Sequence, residues 1–505
     1  MSWLTKTVQL ALAPEARAFR KKLRRPRRTQ QALLSRLVAD LARTEFGRFH
    51  KVYTGSDFFL NLPISRYEDL AERVIEQSRT SEPILTNQRV IFYERTSGSG
   101  HAAKLIPYTA ALRDSFSRLF RIWAHDLLAR GPGLRGGRIY ISISPNFNED
   151  AETESGVPVG LDSDADYLSG WIRPLIDRFL VPGQDLRSCR DPDEFRRRLS
   201  LRLLGSPELE VISVWNPSYL TVLLEFMTER AGSLALEAGE ALSAERRAAL
   251  EAGEWGAVWP ELRLVSCWDQ GAARHRAEEL QTLFPGAMVQ GKGLLATEAP
   301  VTLPLIDLGR GVPLLDEVFL EFEDDQGRVR LLHEVEEGST YGLIITNRAG
   351  LWRYRLGDRV RIDGYAERTP RLVFVGRGES CSDLVGEKLD EILVSQIFEL
   401  LGLHPGVSVL VPQLEPREHY CLVTPTDPGV DELEGLLCES YHYRQARRLG
   451  QLAPARVHVC ERSERLVEDA WRAEGRSLGD LKPRALWPRP WVGEPGRTIA
   501  AATED

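Results

Sequence analysis

Four short stretches hold residue types whose spacing could do phosphate or acyl chemistry. The first runs Thr96-Ser97-Gly98-Ser99-Gly100-His101-Ala102-Ala103-Lys104. Small residues there leave backbone N–H groups free to face an anion, and the hydroxyls and lysine add donors, as a polyphosphate needs. It is not the nucleoside-triphosphate loop G-x-x-x-x-G-K-[ST], because no second glycine precedes the lysine and no hydroxyl follows it. A tight structural turn would use the same residues. The second stretch, Gly293-Leu294-Leu295-Ala296-Thr297-Glu298, sets a hydroxyl beside a carboxylate after an apolar run, a pair that could serve magnesium and a phosphate oxygen. A solvated glutamate after a strand would look the same. In the third, Tyr354-Arg355-Leu356-Gly357-Asp358, an aspartate after a glycine turn could accept hydrogen bonds from vicinal hydroxyls, or be an ordinary turn residue. The fourth is Lys482, a lone lysine that gains meaning only from the other three.

The elements around these stretches read as α/β. Leu33, Leu34, Leu37 and Leu41 form one face of a helix, and Tyr67 to Gln77 continues a helical pattern. Val90 to Tyr93 is a buried strand, followed by the glycine-rich turn and then a helix marked by Leu112, Phe116, Leu119, Trp123 and Leu127. Strands are expected at Arg138 to Ser144, Leu209 to Trp215, Leu262 to Trp268 and Ala287 to Gln290, with helices at Pro217 to Arg230 and Ala272 to Phe284. Beyond residue 315 the texture changes to short alternating strands, with Val318, Leu320 and Phe322 on one face, which implies an antiparallel sheet or barrel. After Gly376-Arg377-Gly378 come a helix over Leu389 to Leu401, strands at Val407 to Val411, Tyr420 to Thr424 and Ala455 to Cys460, and a helix over Asp431 to Leu449. The expected architecture is a large N-terminal domain (residues 1–377) of α/β sheets plus an antiparallel barrel-like part, and a small mobile α+β C-terminal domain (residues 378–505).

Composition narrows the function classes. The chain has 505 residues, 43% apolar and 27% charged, enough for a sizeable core. A net charge of -8 argues against a nucleic-acid binder. Arg17 to Arg28 runs the other way, with eight basic residues and no acid; it reads as a solvated helix face that Pro26 interrupts, ahead of a membrane or nucleic-acid arm. The six cysteines form no C-x-x-C pair, so a zinc site is not expected and reduced thiols in a cytoplasmic protein are. No signal-peptide pattern and no membrane-spanning run is evident.

The order of the four stretches, with Gly376-Arg377 at a domain junction, resembles the acyl-adenylating superfamily of acyl-CoA synthetases, luciferases and peptide-synthetase adenylation domains. Longer motifs are similar to one branch, the plant auxin-responsive acyl-acid–amido synthetases and their bacterial relatives. These are Thr44-Glu45-Phe46-Gly47-Arg48, Leu62-Pro63-Ile64-Ser65-Arg66-Tyr67-Glu68-Asp69-Leu70, Lys104 to Thr109, Ala349 to Asp358, Phe374 to Arg377, Gly386 to Glu391 and Tyr443 to Gly450. The resemblance implies an ATP- and magnesium-dependent ligase that adenylates a carboxylic acid, then transfers the acyl group to an amine such as an amino acid. It assigns ATP contacts to Thr96, Ser97, Gly98, Ser99, Lys104, Ala296, Thr297, Tyr354, Asp358 and Arg377, magnesium to Glu298, catalysis to Lys482 and Glu298, and a hinge to Gly376 and Gly378. An acyl pocket is expected near Trp123, Trp215 and Tyr219, where Trp123 could equally be core. Two positions depart from the family pattern: His101, where the loop usually has glycine, and Leu295-Ala296, where an aromatic usually precedes the Ser/Thr-Glu pair. A thiol acceptor such as coenzyme A, or a nucleotide-binding scaffold without catalysis, are the competing readings.

Overall fold

The computed structural model describes residues 3–487 apart from 97–103, 143–150, 154, 161–171, 184, 187–188, 190, 216, 271–272, 325, 378–380, 383–386, 388, 414–417, 441–442, 445–446, 448–451 and 474–482. The chain divides into two compact units. One holds Met1–Asp269, Arg276–Leu356 and Val360–Phe374; the other holds Gln270–His275, Gly357–Arg359 and Val375–Asp505.

The larger unit begins with α1 (Trp3–Leu23) and α2 (Pro26–Leu41). Pro26, which lacks an N–H and cannot continue a helix from behind, opens α2 in its first turn and splits the basic run between two helices. Leu12, Ala16, Phe19 and Leu23 bury one face of α1, while Leu33, Leu37 and Leu41 bury the inner face of α2 as their spacing requires. The helix α3 (Tyr67–Arg79) follows. Next, β1 (Val90–Thr96) and β2 (Lys104–Thr109) pair antiparallel with Thr96 opposite Lys104, and α4 (Ala110–Arg130) starts directly after β2. The glycine-rich segment therefore joins two strands, not a strand and a helix as its sequence suggested. The apolar residues of Lys104–Thr109 were too few to show a period, whereas the helical period from Leu112 was plain. Thr109 caps α4 by accepting from the Leu112 amide at 3.1 Å.

Four strands, β3 (Arg138–Ile141), β4 (Leu209–Ser213), β5 (Leu264–Cys267) and β6 (Met288–Gly291), form a parallel sheet in that order. The β4 and β5 runs are buried on both faces, hence their nearly continuous apolar sequences. Helix α5 (Pro217–Glu229) follows β4, and α6 (Arg274–Leu283) connects β5 to β6. A two-stranded hairpin of β7 (Leu295–Ala296) and β8 (Ala299–Pro300) comes next. After it β9 (Phe319–Glu323), β10 (Val329–Leu331), β11 (Thr340–Thr346), β12 (Tyr354–Ala366) and β13 (Thr369–Arg377) form a sheet of order β10-β9-β11-β12-β13. β9 pairs antiparallel with both neighbours. Both of its faces are buried: Phe319 and Glu321 as well as Leu320 and Phe322. Gln30 of α2 explains part of this, bonding the Leu315 and Val318 carbonyls and accepting from the Leu320 amide.

The smaller unit contains α7 (Glu391–Leu400), a three-stranded sheet of β14 (Val409–Gln413), β15 (His419–Thr424) and β16 (Arg456–Val459), and helices α8 (Val430–Leu437) and α9 (Ser463–Ala473). The helix expected over Asp431 to Leu449 is interrupted after Leu437, where the Arg444 guanidinium binds the Cys438 carbonyl at 2.9 Å, and Tyr443, Arg444 and Arg447 are again helical. The segment Ala485–Trp487 runs beside β14: the Leu410 amide donates to the Ala485 carbonyl and the Trp487 amide to the Leu410 carbonyl. The Glu391 carboxylate fixes this segment by accepting from the Ala485 and Leu486 amides. No helix among the described residues is long and apolar enough to cross a membrane.

Candidate active site

Thr297 and Glu298 form the turn of the β7–β8 hairpin, with Ala296 opposite Ala299. Glu298 is not the solvated residue that an isolated glutamate after a strand suggests; it is 8% exposed. Two buried side chains grip the turn by its backbone. The Tyr108 hydroxyl donates to the Thr297 carbonyl, and the Asn347 amide donates to the Glu298 carbonyl at 2.7 Å. Tyr108 is itself held by a stacked Phe92 ring at 4.5 Å, and Asn347 by the Ala349 amide at 2.9 Å. The Tyr354 hydroxyl lies 3.5 Å from Oε1 of the Glu298 side chain. An acceptor-only carboxylate on a rigid turn suits a magnesium ion that takes its remaining ligands from phosphates and water. Among the described residues no cluster of three or more metal-ligating side chains exists.

The motif Ala349 to Asp358 builds the support. Gly350 takes φ +97, and a Cβ there would lie 2.9 Å from the Leu85 side chain. The Trp352 indole donates to the Leu85 carbonyl at 2.8 Å. Arg353 is buried and left-handed at φ 46, its guanidinium spanning both Glu321 oxygens at 2.8–3.2 Å and reaching the Leu62 carbonyl at 2.8 Å. Ser65 pairs with this stretch, donating its amide to the Arg353 carbonyl and accepting from the Arg355 amide. The Leu62–Tyr67 motif is thus the clamp that sets where Tyr354 begins β12. Asp358 is buried at 2% exposure, one residue after Gly357 at φ +82.

At the C-terminal ends of the parallel strands sits a residue the sequence did not single out. Lys292 is buried; its ammonium donates to the Ser213 hydroxyl at 2.6 Å and the Ser266 hydroxyl at 3.3 Å. It lies 5.3 Å from the Trp215 ring centre and 6.0 Å from that of Trp123. The Trp123 indole donates to Gln290 at 2.8 Å. Trp123 and Trp215 therefore meet around one cation. Tyr219, expected with them, has its hydroxyl 2.9 Å from that of Tyr140 and packs with the parallel-sheet core. The glycines flanking Lys292 leave close room: a Cβ on Gly291 would displace the Asp269 carboxylate, 2.0 Å away, and one on Gly293, at φ +80, would strike the Thr302 carbonyl at 2.4 Å. Burial pushes the neighbouring Cys267 thiol up to about 12, with Lys292 pulling the other way. A lysine between two glycines straight after a strand was the sequence signal that could have found this site.

Ser97, Gly98, Ser99, His101, Gly378 and Lys482 lie outside the described residues. Thr96 and Lys104 end the two hairpin strands that carry the glycine-rich segment, and Gly376 and Arg377 close β13. Lys482 lies three residues before the anchored Ala485.

The fold is similar to that of two solved ligase structures. It superposes on a structure titled "AtGH3.15 acyl acid amido synthetase in complex with 2,4-DB" with a TM-score of 0.79 at 16% identity, over 98% of this chain and 96% of that one. A 2-hydroxyisobutyryl-CoA ligase in the postadenylation state gives 0.53 at 16% identity, over 94% and 90%. The GH3 family N-terminal domain matches residues 15–238 and the GH3 family central domain residues 312–377; the chain belongs to the GH3 family. A human GH3 domain-containing protein is 29% identical over 333 residues, 58% of this chain and 62% of that protein. A probable indole-3-acetic acid-amido synthetase of rice is 32% identical over 159 residues, 27% of this chain and 32% of that protein. The chain thus spans less than two thirds of the length of either relative.

Proposed function

We propose that this protein is an ATP-dependent acid–amine ligase that forms an acyl adenylate and passes the acyl group to an amine, an amino acid being the acceptor its relatives' names favour. The observation that carries the reading is the Thr297–Glu298 turn: its main chain is fixed by Tyr108 and Asn347, and its carboxylate is set beside Tyr354. The chemical difficulty is electrostatic. A carboxylate must attack the α-phosphate of ATP, two anions meeting while charge builds on phosphate oxygens. Magnesium would supply the positive charge that makes this approach tolerable. Glu298 would hold that ion, Thr297 would orient a phosphate oxygen, Asp358 would accept from the ribose hydroxyls, and the loop from Thr96 to Lys104 would offer backbone N–H groups. Lys482 would neutralise charge during adenylation, and the junction at Gly376–Gly378 would let residues 378–505 act as a separate domain. Five cysteines are free among the described residues, in keeping with a cytoplasmic location.

The acid belongs at the rim of the parallel sheet, where ligands of open α/β sheets bind. Trp123 and Trp215 would flank its body and Lys292 would draw its anionic end. Lys292→Met should therefore raise the KM for the acid at least tenfold and leave the KM for ATP within about twofold, measured by pyrophosphate release. Equal effects on both would remove Lys292 from the acid site. The reading as a whole is tested by ATP–pyrophosphate exchange over a panel of aromatic, fatty and amino acids. Acid-dependent exchange is expected, with the adenylate captured by amines and not by coenzyme A. Capture by the thiol would replace the amine ligase with a thioester-forming one. ATP binding without exchange for any acid would leave a scaffold.

A further inference from the structure

The C-terminal end of α1 and the N-terminal half of α2 enclose a cleft of about 490 Å³ that the adenylation reading does not use. Six of its lining residues are basic: Lys21, Lys22, Arg24, Arg25, Arg28 and Arg36; the one acid is Asp316. Asp316 is already committed, its carboxylate held at 2.7 Å by both Lys22 and Arg118; burial pushes it up, but those two cations draw it below the usual carboxylate value. Arg24 leans toward Glu367 at 3.3 Å, and Arg36 donates to the Asp316 backbone carbonyl. The side chains of Lys21, Arg25 and Arg28 are exposed and form no ion pair among the described residues.

The run is exposed, as a solvated helix face is, but its cations are gathered around one cleft. Stability favours acids in the first turn of a helix, yet α2 opens with basic residues, no acid and no side-chain cap. The cations line a concave wall, where like charges repel one another and focus a positive potential. They do so on a chain whose net charge is -8. Such an arrangement gains free energy when a concentrated negative charge enters it.

The geometry points to a binding site, in the cleft between α1 and α2, for a small anion carrying two or more phosphate groups. Arg25 and Arg28 would bind phosphate oxygens through their planar forks and Lys21 as a point charge. The same chemistry is offered by a free polyphosphorylated metabolite and by a phosphoinositide headgroup, and α1 carries an exposed Trp3 and Leu10 on the stripe that leads to Lys21, as a lipid surface would require.

The test compares the full chain with the triple variant Lys21→Ala/Arg25→Ala/Arg28→Ala in two arms. In the first, inositol hexakisphosphate is titrated calorimetrically. In the second, sedimentation is measured with phosphatidylcholine vesicles with and without phosphatidylinositol 4,5-bisphosphate. Binding in at least one arm is expected, weakened at least tenfold in the variant and falling steeply with salt. The exposed positions leave thermal unfolding and ATP–pyrophosphate exchange unchanged. Binding in the first arm identifies a soluble anion, and binding only to the phosphoinositide vesicles identifies a lipid headgroup. No binding in either arm, or binding that the variant retains, overturns the site.

Discussion

Arg353→Ala should destabilise the larger unit by about 3–5 kcal/mol, the loss expected when one partner of a buried ion pair is removed. Three features set the size. Glu321 is 1% exposed, so its charge has no route to water once the guanidinium is gone. The pairing is two-pronged, and the third contact, to the Leu62 carbonyl, ties the Leu62–Tyr67 clamp to the sheet. Finally, the rings of Phe58 and Phe59 lie 5.8 and 5.7 Å from the guanidinium carbon and would face a hole. Relief of the left-handed backbone does not offset this, because alanine at φ 46 is strained as well.

The pH dependence identifies the cause. Burial raises the Glu321 carboxyl above its ordinary value, although Arg353 pulls it down. A carboxyl raised in the folded state stabilises most below its unfolded value and loses that contribution as pH rises through the folded value. In Arg353→Ala the carboxyl rises further, so the deficit against wild type should be greatest at pH 8 and shrink as pH falls toward 5. Chemical denaturation at both pH values measures it, and Arg353→Lys, which keeps the charge and loses the fork, should fall between. A deficit below about 1 kcal/mol at pH 8, or one that grows on acidification, would show that the pair does not hold the unit together.

This pair also shows where sequence reasoning stops. The motif around Arg353 was conspicuous, and its order with the other stretches pointed to the right family. The role of each residue within it was not legible, because Gly350, Trp352 and Arg353 answer to Leu85, Leu62 and Glu321, partners from 32 to 291 positions away. The alternation of Val318, Leu320 and Phe322 pointed to the strand but was silent on Glu321, since period alone cannot show that an arginine covers it. Lys292 escaped notice for a similar reason. Its meaning comes from Ser213, Ser266 and two tryptophans gathered by separate strands and a helix. The glycine-rich segment was visible, yet its setting in a hairpin was hidden behind the stronger helical period of α4.

Glu298→Gln should reduce acid-dependent ATP–pyrophosphate exchange by about 10²–10³-fold, the range for removing one preorganised charge-stabilising contact from a transition state. The substitution is chosen because the structure separates the side chain from the turn that carries it. Asn347 and Tyr108 hold the turn through its carbonyls, and neither contact is altered by replacing a carboxylate with an amide. The Tyr354 hydroxyl can still donate to the remaining oxygen. Unfolding free energy should therefore stay within about 1 kcal/mol of wild type. What changes is the capacity to hold a hard cation, so the magnesium concentration for half-maximal exchange should rise together with the fall in rate. Asn347→Ala is the complement: it keeps the carboxylate and releases its turn, and should lose exchange with a smaller change in magnesium dependence. Exchange in Glu298→Gln within a few-fold of wild type, at unchanged magnesium, would mean that the turn only shapes the hairpin and that the adenylating charge comes from residues elsewhere in the chain.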